Sequence, residues 1–372
     1  MEFTVNTDKI TKAVNTLSRI ATIRGSRKEY SYIAVCADYS GLKLEATDGI
    51  VFMTANLDAF VNEEGKCALD GKMLSDVIKK QPGENISFSM ADGRVTIRSG
   101  KAKAQLAIKP LDDFPDEPRL SESEDPRLTF LLPVSGVMKC VSNVGYAVST
   151  DPLRPVLCGI LLDLRDNRIR TVAIDGYRMA IQDHEYDQTV TYTKKIIIPK
   201  ASAMELISLL TDEKNETVQF DTDGKRLIVN SSGFVFNTSL TVGEFLDYER
   251  ISKSDIKTRV KVSCKLLKEA VERSMIVARS ADKYLVTLSF DNEWLDVTSK
   301  AAEGETSERL DASMQGEPIR ISFNGSYLLD ALKHAGDGDI EIGLGTPVSP
   351  ATIQNIEDKS LFNMLLPVRT LN

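Results

Sequence analysis

Imidazole is the side chain best suited to moving a proton near neutral pH, and the chain has two, His184 and His334. His184 lies in the charged run DHEYD and is expected in a solvated loop. His334 falls near the end of an expected helix, where a cation suits the helix dipole. Neither has a sequence neighbour that would complete a nucleophile pair or a zinc site. Asp163, Asp166 and Asp175 could together hold a divalent metal for phosphodiester chemistry, but Asp166-Asn167 reads more simply as a hairpin turn. Asp337, Asp339 and Glu341 resemble a calcium loop, yet the glycine is misplaced and IEIGL alternates like a strand. GLGTP at 343–347 lacks the third glycine and the helix of a dinucleotide fingerprint, and no GxxxxGK(S/T) loop or GxSxG elbow occurs. The five cysteines (Cys36, Cys67, Cys140, Cys158, Cys264) are scattered and form no CxxC, so they read as small buried thiols in a reducing compartment. The expectation is a protein without catalytic residues, metal or cofactor, whose work is binding.

The elements that carry these residues recur. A strand-like FTV near the start leads into a helical stretch at 8–21, with Ile10, Ala13, Val14 and Leu17 at helical spacing. A second strand at 128–132 leads into 135–147, with Val137, Cys140, Val141 and Val144 in the stripe; a third at 260–262 leads into 264–278, with Leu267, Ala270, Val271 and Ser274. Another helix follows each first one after about sixty residues: DGKMLSDVI from Asp70, PKASAMELI from Pro199 and NGSYLLDAL from Asn324. Each has an acidic residue at the same offset, namely Asp76, Glu205 and Asp330. Alternating runs split by Asp92-Gly93 and Asp223-Gly224 signal hairpins, and the turn ATDG at 46–49 reappears as AIDG at 173–176. A repeat of roughly 125 residues is domain-sized. The chain is therefore expected to be α+β: three tandem similar domains at 1–122, 128–250 and 256–372, each with two helices on antiparallel sheet of about eight strands. Polar linkers are expected at 119–127 and 250–257.

Charge is segregated along this repeat. The whole chain carries −8, but the six helical segments sum to about +8, which leaves about −16 on the rest. Lysines on exposed helix faces are ordinary. The alternative is a basic surface that meets phosphates without reading bases, and no aromatic residues interleave with it as a single-strand platform requires. The start MEFTVNTDKITKAV lacks the basic and apolar parts of a signal peptide, and no run approaches the ~18 apolar residues of a membrane span. A soluble, cytoplasmic protein is expected, with no membrane partner.

Several motifs, in order along the chain, resemble one family. RTVAIDGYRMAI at 170–181 is similar to its T-x-A-T-D-x-x-R-L-A segment, and AVSTDPLRPVLCGI at 147–160 to its S-T-D-x-x-R-P-I-L-x-G. RSGKAKAQLAIKPLDDFPDEP at 98–118, FNGSYLLDAL at 323–332 and the terminal MLLPVR at 364–369 match further stretches. The family is that of the sliding clamps of bacterial replicases, the DNA polymerase III beta subunits, and the resemblance covers essentially the whole chain.

The resemblance implies a head-to-tail homodimer, a ring of six domains with helices inside, encircling duplex DNA without sequence specificity. It implies partners: the replicative polymerase alpha subunit, the clamp loader and other clamp-binding proteins, which insert short Gln/Leu/Phe-type peptides at the second/third domain junction. Carried over by position, that pocket uses Leu157, Ile174, Gly176, Tyr177, Arg178 and Met179, then Leu246, Arg250 and Ile251, then Asn324, Tyr327, Met364, Leu366, Pro367, Val368 and Arg369. DNA-facing cations are Lys12, Arg19, Arg24, Arg27, Lys72, Lys79, Lys80, Lys139, Arg154, Lys200, Lys265 and Lys268. The subunit joint would set Ala104 and Leu106 against Ile276 and Val277. The chain departs from the family pattern at Tyr177, where His is common, at Leu246, where Pro is frequent, and at Ala104, where Phe often stands. Two other readings compete: a metal-dependent DNA-processing enzyme using Asp163 or Asp175, and a clamp-like scaffold that binds proteins without encircling DNA.

Overall fold

The computed structural model describes residues 1–22, 27–121, 127–165, 167–185, 194–279 and 284–369. The expected helices form where the apolar stripes and caps place them. Helix α1 (Thr7–Ile20) is capped by Asn6, whose side chain accepts from the N–H groups of Asp8 and Lys9, both at 3.1 Å. Caps of this kind contribute about 1 kcal/mol. Its stripe of Ile10, Ala13, Val14 and Leu17 is fully buried. Helix α2 (Gly71–Ile78) is capped by Asp70. Helices α3 (Val134–Val144), α4 (Lys200–Leu210), α6 (Cys264–Ala278) and α7 (Gly325–His334) complete the expected set, with Ser263 capping α6 and Asn324 capping α7. A further short helix, α5 (Tyr248–Ile251), occupies the start of the stretch expected to be the second linker.

By packing, the chain divides into two compact units, 1–134 with 205–240 and 135–204 with 241–372. The first unit has a five-stranded sheet of β5 (Ala59–Glu63), β1 (Glu2–Asn6), β7 (Asn85–Ala91), β8 (Arg94–Ser99) and β9 (Ala102–Ala107), in that spatial order. It also has an eight-stranded sheet: β10 (Leu128–Pro133), β15 (Thr217–Thr222), β16 (Arg226–Ser231), β17 (Phe234–Ser239), β4 (Val51–Leu57), β3 (Gly41–Thr47), β2 (Tyr32–Asp38) and β6 (Gly65–Asp70). The second unit has a nine-stranded sheet of β14 (Lys194–Pro199), β11 (Gly159–Arg165), β12 (Arg168–Ile174), β13 (Arg178–Glu185), β26 (Leu361–Leu365), β25 (Ala351–Asn355), β24 (Asp339–Leu344), β18 (Thr258–Ser263) and β22 (Ser313–Gln315). Its four-stranded sheet runs β21 (Gly304–Asp311), β20 (Trp294–Ala301), β19 (Leu285–Phe290) and β23 (Ile319–Asn324).

The middle repeat is thus shared between the units, because the sheets run across repeat boundaries. In the first unit β17, the last strand of the second repeat, pairs with β4, the third strand after α1 in the first (Phe236 opposite Met53). In the second unit β26, the last strand of the third repeat, pairs with β13, the third strand after α3 in the second (Met179 opposite Met364). One pairing rule, last strand to third strand, operates twice within the chain. Among the described residues it leaves β9 and β21 as bare edges, and a bare edge is a template for further pairing.

The two matched turns have one physical cause. Asp48 Oδ1 accepts from the N–H groups of Ile50 and Val51, and Asp175 Oδ1 accepts from those of Tyr177 and Arg178. The residue between must then adopt a left-handed conformation, and glycine does so at Gly49 (φ 88°) and Gly176 (φ 94°). His184 departs from expectation. It is on β13 opposite Ile169, and not in a solvated loop, because the β12–β13 ladder runs past it. A Cβ on Gly136 would lie 2.3 Å from its ring, and burial together with Lys139 lowers its pKa. Asp339 and Glu341 lie on β24 as the alternation predicts, each paired with a cation of β18.

Ahead of the first expected linker's undescribed part, Ser121 is tied to the Asp223-Gly224 turn. Asp223 accepts from Ser121 N–H (2.8 Å) and Oγ (2.9 Å) and from the N–H groups of Lys225 (2.8 Å) and Arg226 (2.7 Å). Burial alone would raise this carboxyl, but the hydrogen bonds outweigh it and hold it at about 2. A depressed carboxyl stabilises the fold fully above its unfolded pKa of about 3.9 and loses that contribution as pH falls through the folded value. Wild type is therefore expected to melt higher than Asp223→Asn at pH 7, with the gap closing as pH falls from about 5 to about 2. A gap that widens on acidification contradicts this.

Candidate partner-binding site

Arg178 organises one surface of the second unit. The Asp175-Gly176 turn delivers it at the start of β13, where its Nε donates to Asp175 Oδ2 (2.8 Å), Nη1 to Asp330 Oδ2 (2.7 Å) and Nη2 to the Tyr146 carbonyl (2.8 Å). The guanidinium carbon is 4.3 Å from the Tyr327 ring centroid and 5.2 Å from that of Tyr146. Tyr327 in turn stacks on Tyr177 with centroids 6.0 Å apart. Burial works against the Arg178 charge, and Asp330 and Asp175 more than offset it, so its pKa rises. On the far side His334 stacks on Tyr146 and its Nδ1 lies 2.7 Å from the Asp330 carbonyl. Arg178 is thus fixed by two carboxylates and two rings.

Beside it is an apolar floor with an exposed rim. Leu157, Ile174, Met179 and Met364 are buried in one cluster with Tyr248, and Val156 and Phe245 pack against it half-buried. Four further apolar side chains of the expected pocket are open: Tyr177 is 61% exposed, Leu246 44%, Leu366 43% and Ile251 41%. The C-terminal stretch 366–369 is anchored at two points, by Leu366 N–H on the Tyr177 carbonyl (2.8 Å) and Val368 N–H on the Ser322 carbonyl (2.7 Å). Gly176, Arg250 and Arg369 are exposed, and Asn324, Pro367 and Val368 are half-buried, with Asn324 committed to capping α7. The residues expected to form one pocket all lie in the second unit, four of them in one buried cluster, whereas Val368 and Arg369 line a cavity against β23.

The connector that presents Leu246, Arg250 and Ile251 is held by buried charge. Tyr248 Oη donates to Asp163 (2.6 Å), and Arg165 bonds both Asp163 (2.7 Å) and Tyr248 Oη (2.7 Å). Burial, and then Asp163, push the Tyr248 phenol up to about 12. These contacts change the reading of the acidic residues. Asp163 Oδ2 is engaged by Arg165 and Tyr248 while its Oδ1 is buried without a hydrogen-bond partner, and Asp175 is engaged by Arg178; Asp166 lies outside the described residues. Among the described residues, no cluster of three potential ligands is close enough to hold a metal.

The sequence did not point to Tyr146 or Val156 as site residues. Asp330 did carry a signal, the acidic offset shared with Asp76 and Glu205. Among the expected DNA-facing cations, Lys72, Lys79, Lys80 and Lys265 are exposed, and Lys200 and Lys268 are half-buried. Others carry counter-charges that sequence distance conceals: Lys12 with Asp212 (3.0 Å), Arg19 with Glu205 (2.8 Å) and Lys139 with Asp358 (3.0 Å). Arg154 lies 3.9 Å from Asp151 and Arg27 4.0 Å from Glu29, while Arg24 lies outside the described residues. Of the four expected joint residues, Ile276 is 75% exposed on α6 and Val277 half-buried over Gly304 of β21. Ala104 is half-buried on β9, and Leu106 is already buried within its own unit.

Three α+β repeats, joined sheet to sheet by one pairing rule, define the DNA-clamp class of fold. Solved structures of that class match throughout. A DNA polymerase sliding clamp from Bacillus subtilis superposes with a TM-score of 0.93 at 24% identity, covering 100% of both chains. A sliding clamp from Pseudomonas aeruginosa bound to griselimycin gives 0.92 at 23% identity with the same coverage. The beta sliding clamp of Bacillus subtilis (strain 168) is 25% identical over 386 residues, spanning 100% of each sequence. Sequence profiles for the DNA polymerase III beta subunit match in order: the N-terminal domain at 1–118, the central domain at 131–247 and the C-terminal domain at 250–369. The chain belongs to the DNA polymerase III beta subunit family.

Proposed function

We propose that this chain acts as a DNA sliding clamp: two copies close head to tail around duplex DNA and hold partner peptides in the hollow beside Arg178. Its contribution is accessory, tethering a replicative polymerase alpha subunit and other clamp-binding proteins in the cytoplasm, with no catalytic residue of its own. No described helix is long and apolar enough to cross a membrane. The three repeats at 1–122, 128–250 and 256–372 are the ring's six domains in two copies.

The observation that carries the ring is the pairing rule. β17 on β4 and β26 on β13 leave β9 and β21 as the one unmatched last-and-third pair. A single chain has used every other such pair, so a second copy supplies β21 for β9 and takes β9 for β21. The edges are complementary in charge. Arg94, Arg98, Lys101 and Lys103 are exposed on and around β9, whereas β21 carries Glu305, Glu308 and Asp311 against one cation, Arg309, with Glu305 and Glu308 exchanging Lys300 and Arg273 for the partner's cations. Ile276 and Val277 flank β21 and supply the apolar part. With Ala104 in place of an aromatic and Leu106 already buried, the joint depends more on Ile276 and on charge.

DNA contact in this reading is weak by construction. Exposed pairs such as Lys12–Asp212 and Lys139–Asp358 are worth about 0–1 kcal/mol, so the lysines can exchange a carboxylate for a phosphate and return. Topology, and not affinity, keeps the protein on DNA.

In the hollow, a leucine or phenylalanine from a partner settles over Leu157, Ile174, Met179 and Met364, between Tyr177, Leu246, Ile251 and Leu366. Two such anchors at about 1.5–3 kcal/mol each, less ordering costs, give affinities near micromolar. A fluorescent Gln/Leu/Phe-type peptide is expected to bind at micromolar concentration, and Tyr177→Ala and Leu366→Asp to weaken it about tenfold or more. Equal binding by wild type and both variants contradicts the assignment.

A further inference from the structure

A cavity of about 1220 Å³ opens on the second unit beside β23, lined by Lys257, Lys300, Glu305, Glu317, Arg320 and Arg369 among others. It adjoins the hollow through the C-terminal stretch. Leu366 is bonded to Tyr177 at the rim of the hollow, and two residues on, Val368 is bonded to Ser322 of β23 in the cavity wall. Val348, 58% exposed, adds an apolar edge to the same wall.

Two features of the cavity define an occupant. The first is backbone. β23 is the last strand of its sheet, and its Ser322 carbonyl faces away from β19 to meet Val368. Strand alternation turns the N–H and carbonyl of Arg320, two residues earlier, to the same side. Among the described residues no backbone group meets them there. An extended chain can therefore pair with this edge as an added strand. The second is charge. Lys300 is partly balanced by Glu305 at 3.6 Å, but among the described residues no ion pair engages Lys257, Arg320 or Arg369. Glu317 is the one other carboxylate of the lining, so four cations stand against two carboxylates, and on a chain of net charge −8 that excess favours an acidic occupant.

We propose that this groove receives an extended, acidic stretch flanking the hydrophobic motif of a clamp-binding partner, paired as a strand with β23 at Arg320. The proposal rests on the reading that the adjoining hollow takes such motifs. It makes affinity depend on the partner's flanking charge as well as on its two apolar anchors.

The test compares three labelled peptides on the full chain: the motif alone, the motif preceded by a short run of Asp and Glu, and the motif followed by that run. Each is measured on wild type and on the double variant Lys257→Glu with Arg320→Glu. One extended peptide is expected to bind wild type about tenfold tighter than the motif alone at low salt. That gain disappears in the double variant and at high salt, while the motif alone binds both proteins equally, which also shows that the variant is folded. If the motif alone binds wild type but neither extension helps, or if the gain survives charge reversal, this proposal falls and the hollow's assignment stands. If the motif alone fails to bind wild type, both fall. A single-stranded oligonucleotide that binds more tightly than the extended peptides, and loses that binding in the double variant, would make the groove a nucleic-acid track and overturn the proposal.

Discussion

Ile276→Asp is expected to convert the proposed dimer to single chains. Ile276 is 75% exposed on α6 beside the bare strand β21. Burying it in a joint is worth about 1.5–3 kcal/mol, and an aspartate there would place an uncompensated charge inside that joint. A loss of about 3 kcal/mol per joint weakens each by roughly 150-fold, and a closed ring of two copies has two joints. Light scattering at micromolar concentration should show twice the mass of one chain for wild type and that of one chain for the variant. Because the residue is exposed within its own unit, the variant should keep the wild-type circular dichroism spectrum at about 25 °C, while its melting temperature loses what the joint contributed. A variant that keeps the dimer mass would remove Ile276 from the joint. A wild type that scatters as one chain would count against closure altogether.

Arg178→Met is expected to destabilise the second unit and abolish peptide binding together. The side chain is 11% exposed and satisfies both Asp175 and Asp330. Removing one member of a buried ion network leaves carboxylates uncompensated, at a cost of about 3–5 kcal/mol. For a unit of this size that corresponds to a fall of about 6–20 °C in the unfolding midpoint. The Tyr177–Tyr327 stack loses the cation beneath it, so the rim of the hollow loosens too. Adding Asp330→Asn to Arg178→Met should recover part of the stability, since one unpaired charge is removed. It should not recover peptide binding. A midpoint within a degree or so of wild type would show that the network contributes little.

Much of the fold was legible because repeats and caps are local. The stripes of α1, α3 and α6, the Asp92-Gly93 and Asp223-Gly224 hairpins and the paired Asp-Gly turns all follow from spacings of a few residues. What was not legible is non-local. No pattern in FVFNTS of β17 or FNM of β26 announces that those strands cross into the preceding repeat, so the division of the middle repeat between two units came only from the structure. His184 was misplaced because a charged run reads as solvated unless its ladder partner is known. For the site, the resemblance supplied the positions, but their division into a buried floor and an exposed rim is a packing result. The counter-charges Asp212, Glu205 and Asp358 lie far along the chain from the cations they meet, as do Tyr146 and Asp330 from Arg178.

On the proposed function, the protein holds DNA by enclosing it. The most direct measurement places the protein on a nicked circular plasmid with a clamp loader, removes free protein by gel filtration, and follows retention before and after the circle is cut once. Stable retention on the circle at raised salt and rapid loss on cutting are expected, with Ile276→Asp never retained. Retention that survives cutting would mean ordinary DNA affinity, and no retention on the circle with any competent loader would mean a scaffold that does not encircle DNA.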